Sequence, residues 1–169
     1  MSFSLIILAG GNSHRFRSKV GKPYQKLAGK SLIEINVIKA RKFKQIKKII
    51  LVYNKKDLKR VKSLKLNNVK LITGGDSRQL STYNALRHLR NQKEISKVLI
   101  HDVARPNFST KLFGSIIKNM KNARAVVPKI SIHDAIKQII DSSKEEYIVG
   151  KRRDNLFLTQ TPQAFTLKE

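Results

Sequence analysis

Cysteine is absent from this 169-residue chain, which excludes disulfides, thiolate metal sites and thiol nucleophiles together. Tryptophan is absent as well, and acidic residues are scarce: 11 Asp and Glu stand against 36 Lys and Arg. No apolar run approaches the roughly eighteen residues that a membrane-spanning helix needs. The longest, residues 5–9 and 49–53, have the length of strands. The run at 5–9 is also too short for a signal-peptide core, and Met1-Ser2-Phe3-Ser4 carries no basic lead. The expected location is therefore cytoplasmic, with no membrane contact.

The formal charge of +25 raises nucleic acid as a partner. Its distribution argues otherwise. Of the basic residues 25 are Lys and 11 are Arg, and runs such as Lys55, Lys56, Lys59, Lys62 and Lys65 are spread along the chain without interleaved aromatics. Single-strand binders need such aromatics as stacking platforms. The charge is read as solvated helix faces, whose positive field still draws small polyanions such as nucleotides.

What is present is an alternation. Residues 3–9 are a buried strand ending in Gly10-Gly11. Ser31 with Glu34 forms a capping box, after which Leu32, Ile35, Ile38 and Phe43 recur at helical spacing. A β-branched strand follows at 48–53, a basic helix at 55–66, and a strand at 69–73 closed by Gly74-Gly75-Asp76. A helix spans 79–90, with Leu80, Tyr83, Leu86 and Leu89 as its apolar stripe. A strand at 97–101 runs into Asp102, a helix covers 109–120, and a fifth strand lies at 124–128. Strands separated by helices predict an α/β protein, a mostly parallel sheet with helices on both faces. Residues 130–150 break the pattern and predict a projecting β-arm with its tip at Asp141-Ser142-Ser143. Beyond Gln160-Thr161-Pro162-Gln163 no closing element is legible.

Parallel sheets take ligands beyond the carboxyl ends of their strands, where the informative turns fall. Ala9-Gly10-Gly11 with Arg15 and Lys22 lets backbone amides approach a phosphate and sets cations nearby. The spacing fits neither a Walker loop nor G-x-G-x-x-G, and a plain strand-to-helix turn in a Lys-rich chain is the alternative. Gly74-Gly75-Asp76-Ser77-Arg78 with Ser81 suits a turn that reads a base edge, or an ordinary turn in which Asp76 or Ser77 caps the next helix. In His101-Asp102-Val103-Ala104-Arg105-Pro106, Asp102 is placed to hold Mg²⁺ or a ribose hydroxyl. Arg105 could buttress it by a bidentate pair, and a purely structural Asp–Arg pair is the bland reading.

These strings, with Gly21-Lys22-Pro23-Tyr24 and Gln160-Thr161-Pro162-Gln163-Ala164-Phe165, are collinear over essentially the whole chain with one family. They resemble the 2-C-methyl-D-erythritol 4-phosphate cytidylyltransferases of the non-mevalonate isoprenoid pathway. The Q-T-P-Q form is also seen in bifunctional members fused to a cyclodiphosphate synthase. The resemblance implies a single Rossmann-like nucleotidyltransferase domain over residues 1–169. It also implies CTP and a small sugar or polyol phosphate as substrates, Mg²⁺ as cofactor, and a homodimer joined through the arm. Arg15 and Lys22 would be catalytic, steadying the pentacoordinate α-phosphorus. Ala9, Gly10, Gly11, Gly75, Asp76, Ser81, Asp102, Val103 and Arg105 would bind nucleotide, with Asp102 the metal ligand. Arg153 and Thr161 would grip the acceptor's phosphate.

Two departures are visible. Ala135 stands in the arm where the family has a threonine that assists Arg153, and Gly21 and Pro23 depart from the P-K-Q-Y-type segment. The family's further carboxylate and lysine, which lie beyond its T-P-Q-x-F string, have no counterpart within the 169 residues. A related transferase acting on ribitol 5-phosphate shares the nucleotide half of the pattern. A basic nucleic-acid-binding module and an inactive remnant of the fold are the readings from other classes.

Overall fold

A computed structural model describes residues 1–11, 20–141 and 146–167. In chain order the elements begin with β1 (Phe3–Ala9), the short strands β2 (Lys26–Leu27) and β3 (Lys30–Ser31), and α1 (Leu32–Ala40). Next come β4 (Ile46–Tyr53), α2 (Leu58–Ser63), β5 (Val69–Thr73), α3 (Arg78–Leu89), β6 (Lys97–Asp102) and α4 (Thr110–Asn119). The last third holds β7 (Ala125–Val126), β8 (Lys129–Ser131), β9 (Ile136–Asp141), β10 (Glu146–Lys151), β11 (Phe157–Thr159) and β12 (Gln163–Thr166).

The main sheet has six strands in the order β5-β4-β1-β6-β12-β7. β1 pairs in parallel with β4 and β6, and β4 with β5. Every residue of β1 is buried, Ser4 included, as a mostly apolar run in a sheet covered on both faces should be. Phe3, Leu5 and Ile7 point to one side, where α1, α2 and α4 supply Ile33, Val37, Val61 and Phe113, and Met120 joins them from the end of α4. Ile6 and Leu8 point to the other, against Ala85 and Leu89 of α3. The expected α/β sheet with helices on both faces is the one observed.

Local signals set the element starts. Ser31 caps α1: its backbone N–H donates to Glu34 Oε2 at 2.8 Å, while the Glu34 N–H donates to Ser31 Oγ at 3.2 Å. Ser77 and Ser109 cap α3 and α4 through their hydroxyls alone, which accept from the Leu80 and Leu112 N–H groups. Ser31→Ala should therefore cost about 1 kcal/mol of stability, read by chemical denaturation at unchanged m-value.

Several expectations need correction. The buried face of α1 is Ile33, Val37 and Ala40, whereas Ile38 is exposed and Leu32 and Ile35 are only half-buried. Apolar residues occupy most positions of this helix, so spacing alone cannot choose the face. In α3 the buried positions are Ser81, Ala85 and Leu89, while Leu80 and Tyr83 are exposed. Small residues are what let that helix approach the sheet. The basic helix at 55–66 opens as a 3₁₀ turn, Lys55–Asp57, and continues as α2. The fifth strand is reduced to the two residues of β7. β12, not foreseen, lies antiparallel between β6 and β7 and buries Ala164. Its four residues carry too little pattern to be read locally.

The arm is present. Among the described residues β9 and β10 pair only with each other, Ile139 facing Ile148, and both isoleucines are exposed. β8 and β11 pair at its base. The expected tip residues Ser142 and Ser143 lie outside the described residues. No described helix is long and apolar enough to cross a membrane.

Candidate functional site

A cleft of about 420 Å³ opens beyond the carboxyl ends of β1, β4, β5 and β6. Gly10 and Gly11 enter it from β1, Asn54 and Lys55 from β4, and residues 74–77 from β5. Asp102 enters from β6, and Arg78 and Ser81 from the first turns of α3. The glycine turn after β1, the one after β5 and the aspartate after β6 are thus brought together across four neighbouring strands.

Short hydrogen bonds set the cleft's walls. Asn54 Nδ2 donates to the Gly10 carbonyl at 3.2 Å and ties the ends of β4 and β1. The Gly74 N–H donates to the Tyr53 carbonyl at 2.8 Å, which folds the next turn over β4. Ser81 is buried, and its hydroxyl holds both ends of one residue: it accepts from the Gly75 N–H at 3.1 Å and donates to the Gly75 carbonyl at 3.3 Å. The packing is close enough to demand glycine, since a Cβ on Gly75 would stand 2.3 Å from Leu80 Cγ. Asp76 stands exposed beside that turn and lines the cleft.

Asp102 is held between two guanidinium groups. Arg78 Nε donates to Oδ1 at 3.1 Å, and Arg105 Nε lies 3.8 Å from Oδ2. The bidentate partner expected of Arg105 is therefore corrected, because Arg78, reaching from α3, makes the hydrogen bond. All three side chains are partly exposed, so the pairs orient the carboxylate more than they stabilise the fold. Beneath it His101 is completely buried and packs edge-on against Phe108. Burial pushes its imidazole down to about 4, against the raising effect of its hydrogen bond with the Arg105 carbonyl.

Ala9 and Val103 belong to the core under the cleft, with the Val103 N–H donating to the Leu8 carbonyl at 3.1 Å. Lys22 is exposed on the 3₁₀ turn Lys22–Tyr24, which buried Pro23 and Tyr24 anchor to the body. Arg15 lies outside the described residues. Arg153 sits apart from the cleft at the arm's base, where its guanidinium donates to the His133 carbonyl. It lines a separate depression with Lys129, Ser131 and Asn155. Thr161 is not there: it is buried, and its hydroxyl meets the Asp102 N–H and His101 Nδ1. Within one chain, then, Arg153 and Thr161 do not meet.

Asn54, Lys55 and Arg78 line the cleft without having been singled out as binding residues. A signal existed for the first two, which directly follow a strand end. Arg78 lies inside the quoted glycine string, but only the fold shows that it turns towards Asp102. No cluster of three or more His, Asp or Glu that could hold a metal occurs among the described residues. Asp102 is nevertheless a partly exposed carboxylate at the cleft. That suits Mg²⁺, which takes one or two carboxylates and completes its shell with substrate phosphates and water.

The open, mostly parallel α/β sheet with its cleft beyond the strands' carboxyl ends is a Rossmann-like architecture, and its likeness to solved structures makes it a nucleotidyltransferase-type fold. Residues 3–169 match the profile of one such family, 2-C-methyl-D-erythritol 4-phosphate cytidylyltransferase (IspD), and the chain belongs to that family. It is 41% identical over 169 residues to the bifunctional enzyme IspD/IspF of Pelagibacter ubique, covering 100% of this chain and 44% of that protein. A second relative is the bifunctional ribulose 5-phosphate reductase/CDP-ribitol pyrophosphorylase Bcs1 of Haemophilus influenzae. It is 32% identical over 169 residues, covering 96% of this chain and 35% of that protein. The crystal structure of 4-diphosphocytidyl-2C-methyl-D-erythritol synthase from Anaerococcus prevotii superposes with a TM-score of 0.78 at 31% identity. There the match covers 98% of this chain and 70% of that one. The chain thus spans less than half the length of the two bifunctional relatives.

Proposed function

We propose that this chain is a cytidylyltransferase domain that transfers CMP from CTP to 2-C-methyl-D-erythritol 4-phosphate and releases pyrophosphate. The observation that carries this reading is the convergence of Gly10-Gly11, the Gly75–Ser81 turn and Asp102 on one cleft, in a chain of this family. In the reaction an oxygen of the acceptor's phosphate bonds to the α-phosphorus of CTP. The bond from that phosphorus to its bridging oxygen breaks, and pyrophosphate leaves with the electron pair. Little covalent work falls to the protein, so positioning and charge carry the catalysis.

Each part of the cleft has a task in this reading. Gly75, Asp76 and Ser81 hold cytosine, with Ser81 keeping the Gly75 peptide in place. Gly10 and Gly11 bring backbone amides to the triphosphate, and Arg15 and Lys22 steady the charge that grows at the α-phosphorus. Asp102 would hold Mg²⁺ beside the ribose, and that ion, when bound, neutralises triphosphate charge and eases departure of pyrophosphate. The acceptor's phosphate falls to Arg153. It lines a depression separate from the cleft, which fits a site completed across a homodimer. The exposed isoleucines of the arm offer an apolar surface for that contact. A cytoplasmic setting accords with the small, polar substrates.

Calorimetric titration with CTP, UTP, ATP and GTP tests the nucleotide half. CTP should bind tightest, and Ser81→Ala should erode the preference, because the Gly75 N–H loses its buried acceptor. Equal affinities for the four would sink the base-reading assignment. An affinity for DNA that falls steeply with salt and ignores Asp76→Ala and Asp102→Ala would instead favour the nucleic-acid reading. Ala135 and the Haemophilus influenzae relative give a specific reason to test ribitol 5-phosphate beside methylerythritol phosphate as acceptor.

A further inference from the structure

Under the cleft floor runs a closed chain of polar contacts that the proposed chemistry does not use. Thr161, between β11 and β12, accepts from the Asp102 backbone N–H at 3.1 Å through Oγ1. The same oxygen lies 3.0 Å from His101 Nδ1, and His101 Nε2 lies 3.1 Å from the Arg105 carbonyl. His101 is fully buried and Thr161 nearly so, hence water cannot substitute for either partner.

The proton placement follows from the partners. A carbonyl oxygen can only accept, so Nε2 carries the ring proton and donates to Arg105. In the neutral ring Nδ1 is then an acceptor, which the Thr161 hydroxyl fills with its own proton. Every group of the chain is satisfied in this arrangement and in no other with a neutral ring. Such networks fix geometry, because each member lost leaves a buried group unpaired.

The chain also joins distant parts of the sequence. Asp102 ends β6, and Arg105 is one of the two guanidinium groups facing its carboxylate. Thr161, from the turn between β11 and β12, therefore holds the Asp102 backbone N–H, and His101, on β6 itself, holds the Arg105 carbonyl on the far side of the carboxylate.

We infer that His101 and Thr161 are positioning residues for Asp102, fixing the end of β6 so that its carboxylate faces the nucleotide cleft. This rests on the cytidylyltransferase reading for its functional consequence but not for its geometry.

Two experiments separate those parts. On the wild-type chain, imidazole nitrogen chemical shifts should show His101 as the Nε2–H tautomer, and the Asp102 amide should exchange slowly. An Nδ1–H tautomer, or a fast Asp102 amide, overturns the inference whatever the chain does with nucleotides. The second is a double-mutant cycle on CTP affinity in Mg²⁺. Thr161→Val should weaken binding about tenfold, as expected for removal of one buried hydrogen-bond partner. Thr161→Ser should restore it, and in an Asp102→Asn background Thr161→Val should cost almost nothing further. Full additivity of the two changes would overturn the inference, as would a Thr161→Val effect confined to the affinity for the acceptor phosphate. Failure of the wild-type chain to bind CTP would bring down the functional reading instead, while the tautomer and exchange measurements still decide this one.

Discussion

Lys22→Ala and Arg15→Ala are each expected to lower turnover by about two orders of magnitude or more, by analogy with the loss of one preorganised donor. CTP affinity should change far less. The reason is timing. On the proposed reading, the triphosphate's ground-state charge is already shared among backbone amides, solvent and any bound metal. Extra negative charge builds on the equatorial oxygens only as the acceptor's oxygen arrives and pyrophosphate departs. A cation aimed there acts on kcat, whereas one that merely attracts nucleotide acts on KM. The position of Lys22 suits this division. Its 3₁₀ turn is pinned by buried Pro23 and Tyr24, so its backbone is fixed while its ammonium stays exposed. In a chain of +25, loss of one more distant lysine should hardly alter nucleotide capture, and Lys118→Ala on α4 serves as the control. Turnover is read by pyrophosphate release and affinity by calorimetry. Unchanged turnover in both folded variants refutes the role.

Asp102→Asn carries the second large effect, and here the sign depends on the metal. The substitution keeps shape while removing the charge that Arg78 and Arg105 face. Without Mg²⁺ the two freed guanidinium groups should hold the triphosphate at least as tightly as before, since a repelling carboxylate has gone. With Mg²⁺ the variant should bind CTP more weakly than wild type, and turnover should fall about a hundredfold or more, because charge stabilisation at the leaving group is what the metal supplies. The decisive observation is the crossover between the two titrations. If Asp102→Asn weakens CTP binding equally with and without Mg²⁺, Asp102 contacts the nucleotide directly and the metal assignment is wrong.

Much of the cleft was legible in the sequence because its signals are local. A short, mostly apolar run such as β1, closed by a glycine pair, reads as a strand covered on both faces, and Ser31 with Glu34 marks a helix start from four residues. The glycine pairs fell at strand ends, and the rule for parallel sheets then placed them on one rim. Arg78 shows the limit. It lay within the quoted string, yet nothing local says that its guanidinium turns to Asp102, 24 residues away.

By itself, then, the sequence determined the alternation of strands and helices, the caps, and which turns would meet beyond the sheet. Each of these depends on neighbours a few residues apart. Only the tertiary structure decided that Ile33 and Ala85, and not Ile38 or Tyr83, face the sheet, because in α1 the apolar residues sit on nearly every side and in α3 only a small residue permits close approach. It alone placed β12 between β6 and β7, since a four-residue strand has no pattern strong enough to name its partners. It alone turned Thr161 inward to His101 and the Asp102 amide, away from Arg153. Those contacts span about sixty residues of chain and exist only once the sheet has brought its distant edges together.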